Sequence, residues 1–250
     1  MKFAYLAFMA ALALPVSAQA KTIAALTSEN TLVHIDSETR RATRTVEISG
    51  VNGPVAAIDL RPADGMLYAL AYSGGVYTID PMTGVATRKS QLRIAPSAAG
   101  AVTADFNPVA NRLRIITSNG ANLRANVDNG DVTEDQRLRF VSGEGQPNII
   151  AGAYTNSIAG ATETTLFDIA ADGAFLRQAP PNDGVLNPVG SLGASPSRIA
   201  FDIATVDGVN AGWAIAGGML HSIDLTTGAA TSTGRLRGVR GDVRDIAILP

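Results

Sequence analysis

The sequence predicts an all-β chain folded as a five-bladed β-propeller of four-stranded antiparallel blades, and three observations predict it. A phrase of roughly 40–50 residues returns five times, clearest from Ala56 to Leu92, and that period is the length of one propeller blade. Each copy carries a strand that runs into a tight polar turn and then a second strand. The final residues, VRDIAILP (Val243–Pro250), match VAAIDLRP (Val55–Pro62), so the chain ends on a copy of an inner strand that its first repeat lacks. A β-sandwich of this length would not explain so regular a period.

Before the repeats, Met1 and Lys2 lead into an apolar run from Phe3 to Leu14, then Pro15 and Ala18-Gln19-Ala20. That layout predicts a secretory signal peptide, residues 1–20, cleaved after Ala20. The apolar run is well short of the ~20 residues that span a bilayer. The sequence holds no Cys, hence no lipid-acceptor thiol and no disulfide framework. We therefore expect a soluble periplasmic or secreted protein, not inserted in a membrane after cleavage. Residues 21–250 read as one domain without a linker, and as a monomer. A formal charge of −2 excludes the basic footprint of nucleic-acid binding.

Each repeat has a marked outer hairpin: Leu32–Thr39, Val76–Gly84, Asn122–Gly130, Leu166–Gly173 and Leu220–Gly228. Asp36, Asp80 and Asp224 begin three of the turns, with Thr three residues later, and Asn126 and Asn129 take those places in the third repeat. Such side chains accept from the backbone N–H groups ahead of them, and the closing Gly adopts positive φ without a Cβ clash. These acids are turn chemistry rather than catalysts. After the turns come strands marked Ala42-Thr43, Ala86-Thr87, Val132-Thr133 and Ala230-Thr231. The inner strands are expected at Val55–Leu60, Ala101–Phe106, Ile149–Tyr154 and Ser197–Ile203. Val243–Pro250 is expected to join Thr22–Thr27 and close the ring, removing the edges an open array would expose.

In the inner strands Asp59, Asp105 and Asp202 align, with Ala153 and Ala247 in the other two. An anionic rim near the axis would suit a cation or a sugar. We prefer the structural reading, in which each Asp satisfies N–H groups between blades, because buried polar groups at repeated positions complete hydrogen bonding.

Departures from the repeat carry more information, because structure constrains every blade while a binding site needs one or two. The third repeat has Arg112, Arg114 and Arg124 where the second has Met66, Tyr68 and Thr78. Arg112 and Arg114, two apart on a strand, share a face. Pairing with Asp105 would make an interblade clamp, the preferred reading. The functional reading has Arg112 or Arg124 offer its planar fork to a ligand carboxylate or phosphate. The fourth repeat carries an irregular insertion around Gln178–Gly184 whose Pro180-Pro181-Asn182-Asp183-Gly184 is a rigid turn. His34 and His221 are expected on opposite sides of their sheets, which leaves no His-based metal centre or Ser-His-Asp triad. HExxH, P-loop, dinucleotide and EF-hand signatures are absent.

At ADFNP followed by NRLR and GANLR, then AYTN, TLFDI and QAPPNDGVL, and finally the FDI of Phe201–Ile203, the chain resembles a bacterial family of exported β-propellers known only as domain of unknown function 4394. The resemblance spans nearly all of residues 21–250. The family pattern looks like DFNPxxDR, and Asn111 stands here where Asp is expected, which weakens any metal role at that position. The resemblance implies no catalytic residue and no cofactor.

The expected function is a non-catalytic exported module that binds an envelope protein or glycan near blades three and four. Its candidate residues are Asp105, Asn107, Arg112, Arg124, Tyr154, Asn156, Asn182 and Asp183, with Tyr as a flat apolar surface and the amides and acids as orienting partners. No catalytic or metal-ligating residue is assigned. The alternative is a glycosidase-like hydrolase using two channel carboxylates such as Asp105 and Asp202.

Overall fold

The structure is a computed structural model that describes residues 20–96 and 100–250, so the signal-peptide reading falls almost wholly outside the described residues. Blade one contains β1 (Thr22–Thr27), β2 (Thr31–Asp36) and β3 (Ala42–Glu47). Blade two contains β4 (Val55–Leu60), β5 (Leu67–Ala71), β6 (Gly75–Ile79) and β7 (Ala86–Gln91). Blade three contains β8 (Val102–Asn107), β9 (Arg112–Thr117), β10 (Asn122–Ala125) and β11 (Val132–Glu134). The short β12 (Arg139–Phe140) leaves blade three and pairs in parallel with the outer strand of blade four. Blade four contains β13 (Ile149–Tyr154), β14 (Leu166–Ala170), β15 (Ala174–Gln178) and β16 (Val185–Ser191). Blade five contains β17 (Ala200–Val206), β18 (Val209–Ala216), β19 (Met219–Ile223) and β20 (Ala230–Arg235).

The last strand, β21 (Val243–Leu249), pairs antiparallel with β1, with Leu249 opposite Thr22 and Ala247 opposite Ala24. Five sheets result, four of four strands and one of five, and the ring closes through the C-terminal strand as its sequence match predicts. The inner strands β21, β4, β8, β13 and β17 pack each against the next around the axis. Three details differ from expectation. The inner strand of blade three runs Val102–Asn107 rather than Ala101–Phe106, one residue later. The inner strand of blade five runs Ala200–Val206 rather than Ser197–Ile203, because its hairpin extends to the pair Val206–Val209 while Ser197 and Arg198 stay exposed. The fifth strand β12 has no counterpart in the repeat.

The core is five interblade layers rather than one centre. Each inner strand is buried on both faces, so Ala, Val and Ile replace polar alternation there. Tyr68 meets Phe106 edge-on at 5.2 Å between blades two and three, and Phe167 stacks on Phe175 at 5.0 Å beside Phe201 of blade five.

The outer turns behave as their residues dictate. Asp36 accepts from the Thr39 N–H at 2.7 Å, Asp80 from Met82 and Asp224 from Thr226, each at 2.8 Å. Gly130 has φ 78°, and a Cβ there would lie 2.0 Å from the carbonyl oxygen of Gln91 in blade two. The turn glycine is thus needed twice, for its left-handed backbone and for the close approach of the neighbouring blade. Among the described residues no helix is long and apolar enough to cross a membrane.

Candidate functional site

Two polar constellations sit on the face where the inner strands end. The first lies on the axis. Asp59 Oδ2 accepts from the Phe106 N–H of the next blade at 2.6 Å, Asp105 Oδ1 from Tyr154 at 3.0 Å and Asp202 Oδ2 from Ile248 at 2.7 Å. Asp59 and Asp202 also accept from the residue that follows them. Asp245, two positions out of the aligned column, does the same one layer along the axis, accepting from Ile58 at 2.9 Å. Thr103 completes that layer by exchanging hydrogen bonds with the backbone of Gly152. The interblade reading of the aspartates therefore holds, since each carboxylate ties one inner strand to the next.

The clamps bring like charges together. Oxygens of Asp59, Asp105 and Asp202 all lie within 4.8 Å of one another, and all three residues are buried. Burial, and then the charge of Asp202, raises the Asp59 carboxyl well above the usual range. Burial and the Asp59 and Asp202 charges do the same to Asp105. Burial pushes Asp202 up to about 6. Asp59 and Asp202 also line a cavity of about 500 Å³ that reaches Leu249, Ile158 and Lys21.

The second constellation lies between blades three and four. Asn107, Arg112, Arg114, Arg124, Tyr154 and Asn182 surround a cavity of about 190 Å³. Cross-strand register places Arg114 opposite Asp105 on one side and Arg124 on the other, so these side chains share the blade-four face of the sheet. Arg114 is buried and spent within the protein. It donates to Asn122 (2.9 Å), Asp135 (2.5 Å), Asn182 (2.8 Å) and the Tyr154 hydroxyl (3.2 Å). Arg124 is bidentate to Asp135 at 2.6 and 2.8 Å. Burial alone would raise the Asp135 carboxyl, but hydrogen bonds from Arg124 and Arg114 outweigh it and hold the group below the usual range. Arg112 is half-buried and donates only to the Asn111 carbonyl among the described residues. Three guanidinium groups against one ionised carboxylate leave the cavity cationic.

The walls are fixed. The 3₁₀ turn Pro181–Asp183 ends at Gly184, φ 65°, where a Cβ would meet the carbonyl oxygens of Gln136 and Arg137 at 2.5 Å. The Asn182 carbonyl accepts from Gln136, and the Pro181 carbonyl accepts from Asn122 and Gln178. The insertion of the fourth repeat is thereby docked onto blade three.

A family profile described as "Domain of unknown function (DUF4394)" matches residues 31–247. The chain belongs to that family. None of the curated proteins matches it significantly. Among solved structures, a structural-genomics protein of unknown function from Bacteroides thetaiotaomicron VPI-5482 superposes with a TM-score of 0.55 at 16% identity, over 91% of this chain and 64% of that one. The computationally designed Ika8 protein gives a TM-score of 0.41 at 16% identity, over 88% of this chain and 65% of its own. This DUF4394 chain thus spans less than two thirds of either neighbour, and the likeness to the first supports the fold alone.

Of the candidate residues read from sequence, Asn107, Arg112, Arg124, Tyr154 and Asn182 line this one cavity. Asp105 lies beneath it as an axial clamp. Asn156 is placed elsewhere: its N–H and amide engage Asn210 of blade five, and its Nδ2 the Glu163 carbonyl. Asp183 is exposed at the turn and does not line the cavity. The expected pairing of Arg112 or Arg114 with Asp105 is corrected. Asp105 is taken up by the Tyr154 N–H, and the acid that meets Arg114 and Arg124 is Asp135, in the irregular stretch after β11. Asn111 sits at φ 51° and accepts from Arg61, itself bidentate to Asp128. His34 contacts the Pro81 carbonyl of blade two, whereas His221 is in blade five.

Proposed function

We propose that this is an exported, non-catalytic binding propeller that recognises an anionic group, a carboxylate or phosphate displayed on an envelope protein or glycan, in the cavity between blades three and four. The observation that carries the proposal is convergence. Residues that depart from the repeat in two different blades meet around one small cationic cavity, and Arg112 keeps donors free to face it. Arg114 and Asp135 act as the support beneath, holding Arg124, Tyr154 and Asn182 in place before a ligand arrives. The apolar run at Phe3–Leu14 supports export.

Isothermal titration of residues 21–250 with glucuronate and with inorganic phosphate tests the site. Arg112→Ala is expected to weaken binding about tenfold or more, the loss typical of one charge-assisted contact. Its melting temperature should stay near that of the parent, because Arg112 lies outside the buried network. Unchanged binding by Arg112→Ala would remove the proposal.

A second reading is favoured by the axial oxygens. With none more than 4.8 Å from another, some point lies within about 2.8 Å of all three, close to the roughly 2.3–2.6 Å of calcium–oxygen bonds. A divalent cation there would relieve the repulsion that otherwise retains protons, with the cavity beside Asp59 and Asp202 as its route of entry. At pH 8, calcium in excess of chelator should then raise the melting temperature by about 5 °C or more, and Asp105→Asn should abolish the rise. Identical melts with calcium, magnesium, manganese and chelator would dispose of this reading.

A further inference from the structure

The opposite end of the axis has the reverse character. A cavity of about 370 Å³ opens there, where the inner strands begin, and every blade contributes to it: Arg244 from blade one, Tyr72 from blade two, Val102 from blade three, Ile150 from blade four, and Arg198 and Ile199 from blade five. Counting three residues back from the aligned aspartate column gives Ala56, Val102, Ile150, Ile199 and Arg244. Four inner strands present an apolar side chain at this level and only blade one presents a cation. The structural demand of that layer is therefore apolar, and Arg244 departs from it.

Arg244 is held rather than loose. Its Nη1 donates to the Val55 carbonyl at 2.5 Å, and its guanidinium lies 5.6 Å from the centre of the Tyr72 ring. Arg198 is exposed and has no hydrogen-bond or ion-pair partner among the described residues. Among the described residues no carboxylate lines the cavity, and Asp242 lines an adjoining cavity of about 470 Å³ that also reaches Arg198. Two guanidinium groups without a counter-ion, over walls of Val and Ile and one aromatic ring, match a ligand that is anionic at one end and apolar at the other.

We propose that this axial mouth is a binding site for a small organic acid, whose carboxylate is held by Arg198 and Arg244 and whose apolar body lies against Val102, Ile150, Ile199 and Tyr72. It is separate from the cavity between blades three and four, and its fate does not depend on that site. The volume suits a ring of six to ten atoms. A larger chain would have to leave along the axis or over Ser197.

Benzoate is the probe, titrated calorimetrically into residues 21–250, with acetate, benzyl alcohol and inorganic phosphate as comparisons. The expected dissociation constant for benzoate lies between about 10 µM and 1 mM, with acetate and benzyl alcohol at least about tenfold weaker because each lacks one half of the recognition. Arg198→Ala, which removes an exposed side chain with no internal partner, should weaken benzoate about tenfold with an unchanged melting temperature. Arg244→Ala should do the same or more, while Arg112→Ala at the other face leaves benzoate unaffected. Absence of benzoate binding, full binding by both Arg198→Ala and Arg244→Ala, or phosphate bound as tightly as benzoate by the Arg112→Ala protein, whose other anion cavity is disabled, would each overturn the proposal, the last by showing an anion patch with no use for its apolar walls.

Discussion

Deleting Val243–Pro250 is expected to abolish cooperative folding of the whole ring. The deleted strand supplies a six-position ladder to β1 and buries Ile246 and Ile248, which are 2% and 8% exposed. Burial of two such side chains is worth about 3–6 kcal/mol, and the ladder hydrogen bonds add roughly 1 kcal/mol each. That sum is comparable to the roughly 5–15 kcal/mol by which a domain is stable at all. The deletion also strands its neighbours on both sides. Asp202 Oδ2 loses the Ile248 N–H, leaving that carboxylate only its bond from the Ile203 N–H, and the buried Ile58 N–H loses Asp245. Circular dichroism melts of the truncated chain should show a broad, non-cooperative loss of signal, and a synthetic peptide of residues 241–250 added in trans should restore a transition by strand addition. A truncated protein melting cooperatively within a few degrees of the parent would mean that the other four blades stand alone.

The closing strand was legible because its evidence is local: eight residues that copy Val55–Pro62 have the same parity of apolar positions, hence the same faces. The outer turns were legible for the same reason, since Asp36, Asp80 and Asp224 bind N–H groups two or three residues ahead. Asp245 was not. It works as Asp59 does, but two residues earlier, and which N–H of the next blade stands opposite is a matter of tertiary register that no column in the repeat records. Arg112, Arg124, Asn107, Tyr154 and Asn182 could be picked as departures from the pattern, and strand parity placed Arg112 and Arg114 on one face. Parity gives a direction, not a partner. The partner of Arg114 is Asp135, which lies in a segment without a repeat equivalent, and Asn156 faces blade five because its left-handed backbone turns the chain away from the cavity.

The axial aspartates and the arginine-lined cavity illustrate two uses of buried charge in one ring. On the axis, backbone N–H groups meet the carboxylates, and repetition at successive interfaces marks a structural device. Between blades three and four, side chains meet side chains. Arg114, Asn122, Asp168 and Gln178 are buried where the other interfaces place mainly apolar side chains. Such a layer is less stabilising than a packed apolar one, a cost consistent with the recognition role proposed for the cavity above it.

Asp168 is the sharpest case, and replacing it with Asn is expected to make the protein more stable at pH 8 by several kcal/mol. The residue is fully buried on β14, opposite Gly152, whose missing Cβ makes room for it: a Cβ there would lie 2.5 Å from Asp168 Oδ1. Neither carboxyl oxygen has a hydrogen-bond partner among the described residues. Burial pushes its carboxyl up to about 8, partly opposed by the charge of Arg114. An acid raised in the folded state and ordinary, about 3.9, in the unfolded state binds its proton more tightly when folded. Stability is then full below about pH 4 and falls as pH rises toward 8, by up to about 1.4 kcal/mol per pH unit. The axial acids, raised likewise, add slope of the same sign. Surface turn acids such as Asp36 and Asp224, whose pKa values are lowered by their Thr partners, act only below about pH 4, where their protonation removes stability. The parent should therefore be most stable near pH 4–5. Asn keeps the shape beside Gly152 and cannot ionise, so the Asp168→Asn curve should meet the parent's near pH 4 and separate from it progressively up to pH 8. Denaturant unfolding at half-unit steps from pH 4 to 9 measures the separation directly. Parallel curves would show that Asp168 acquires a partner in solution that holds it ionised, and the blade interface beneath Arg114 would then contain a water or ion that belongs to its structure.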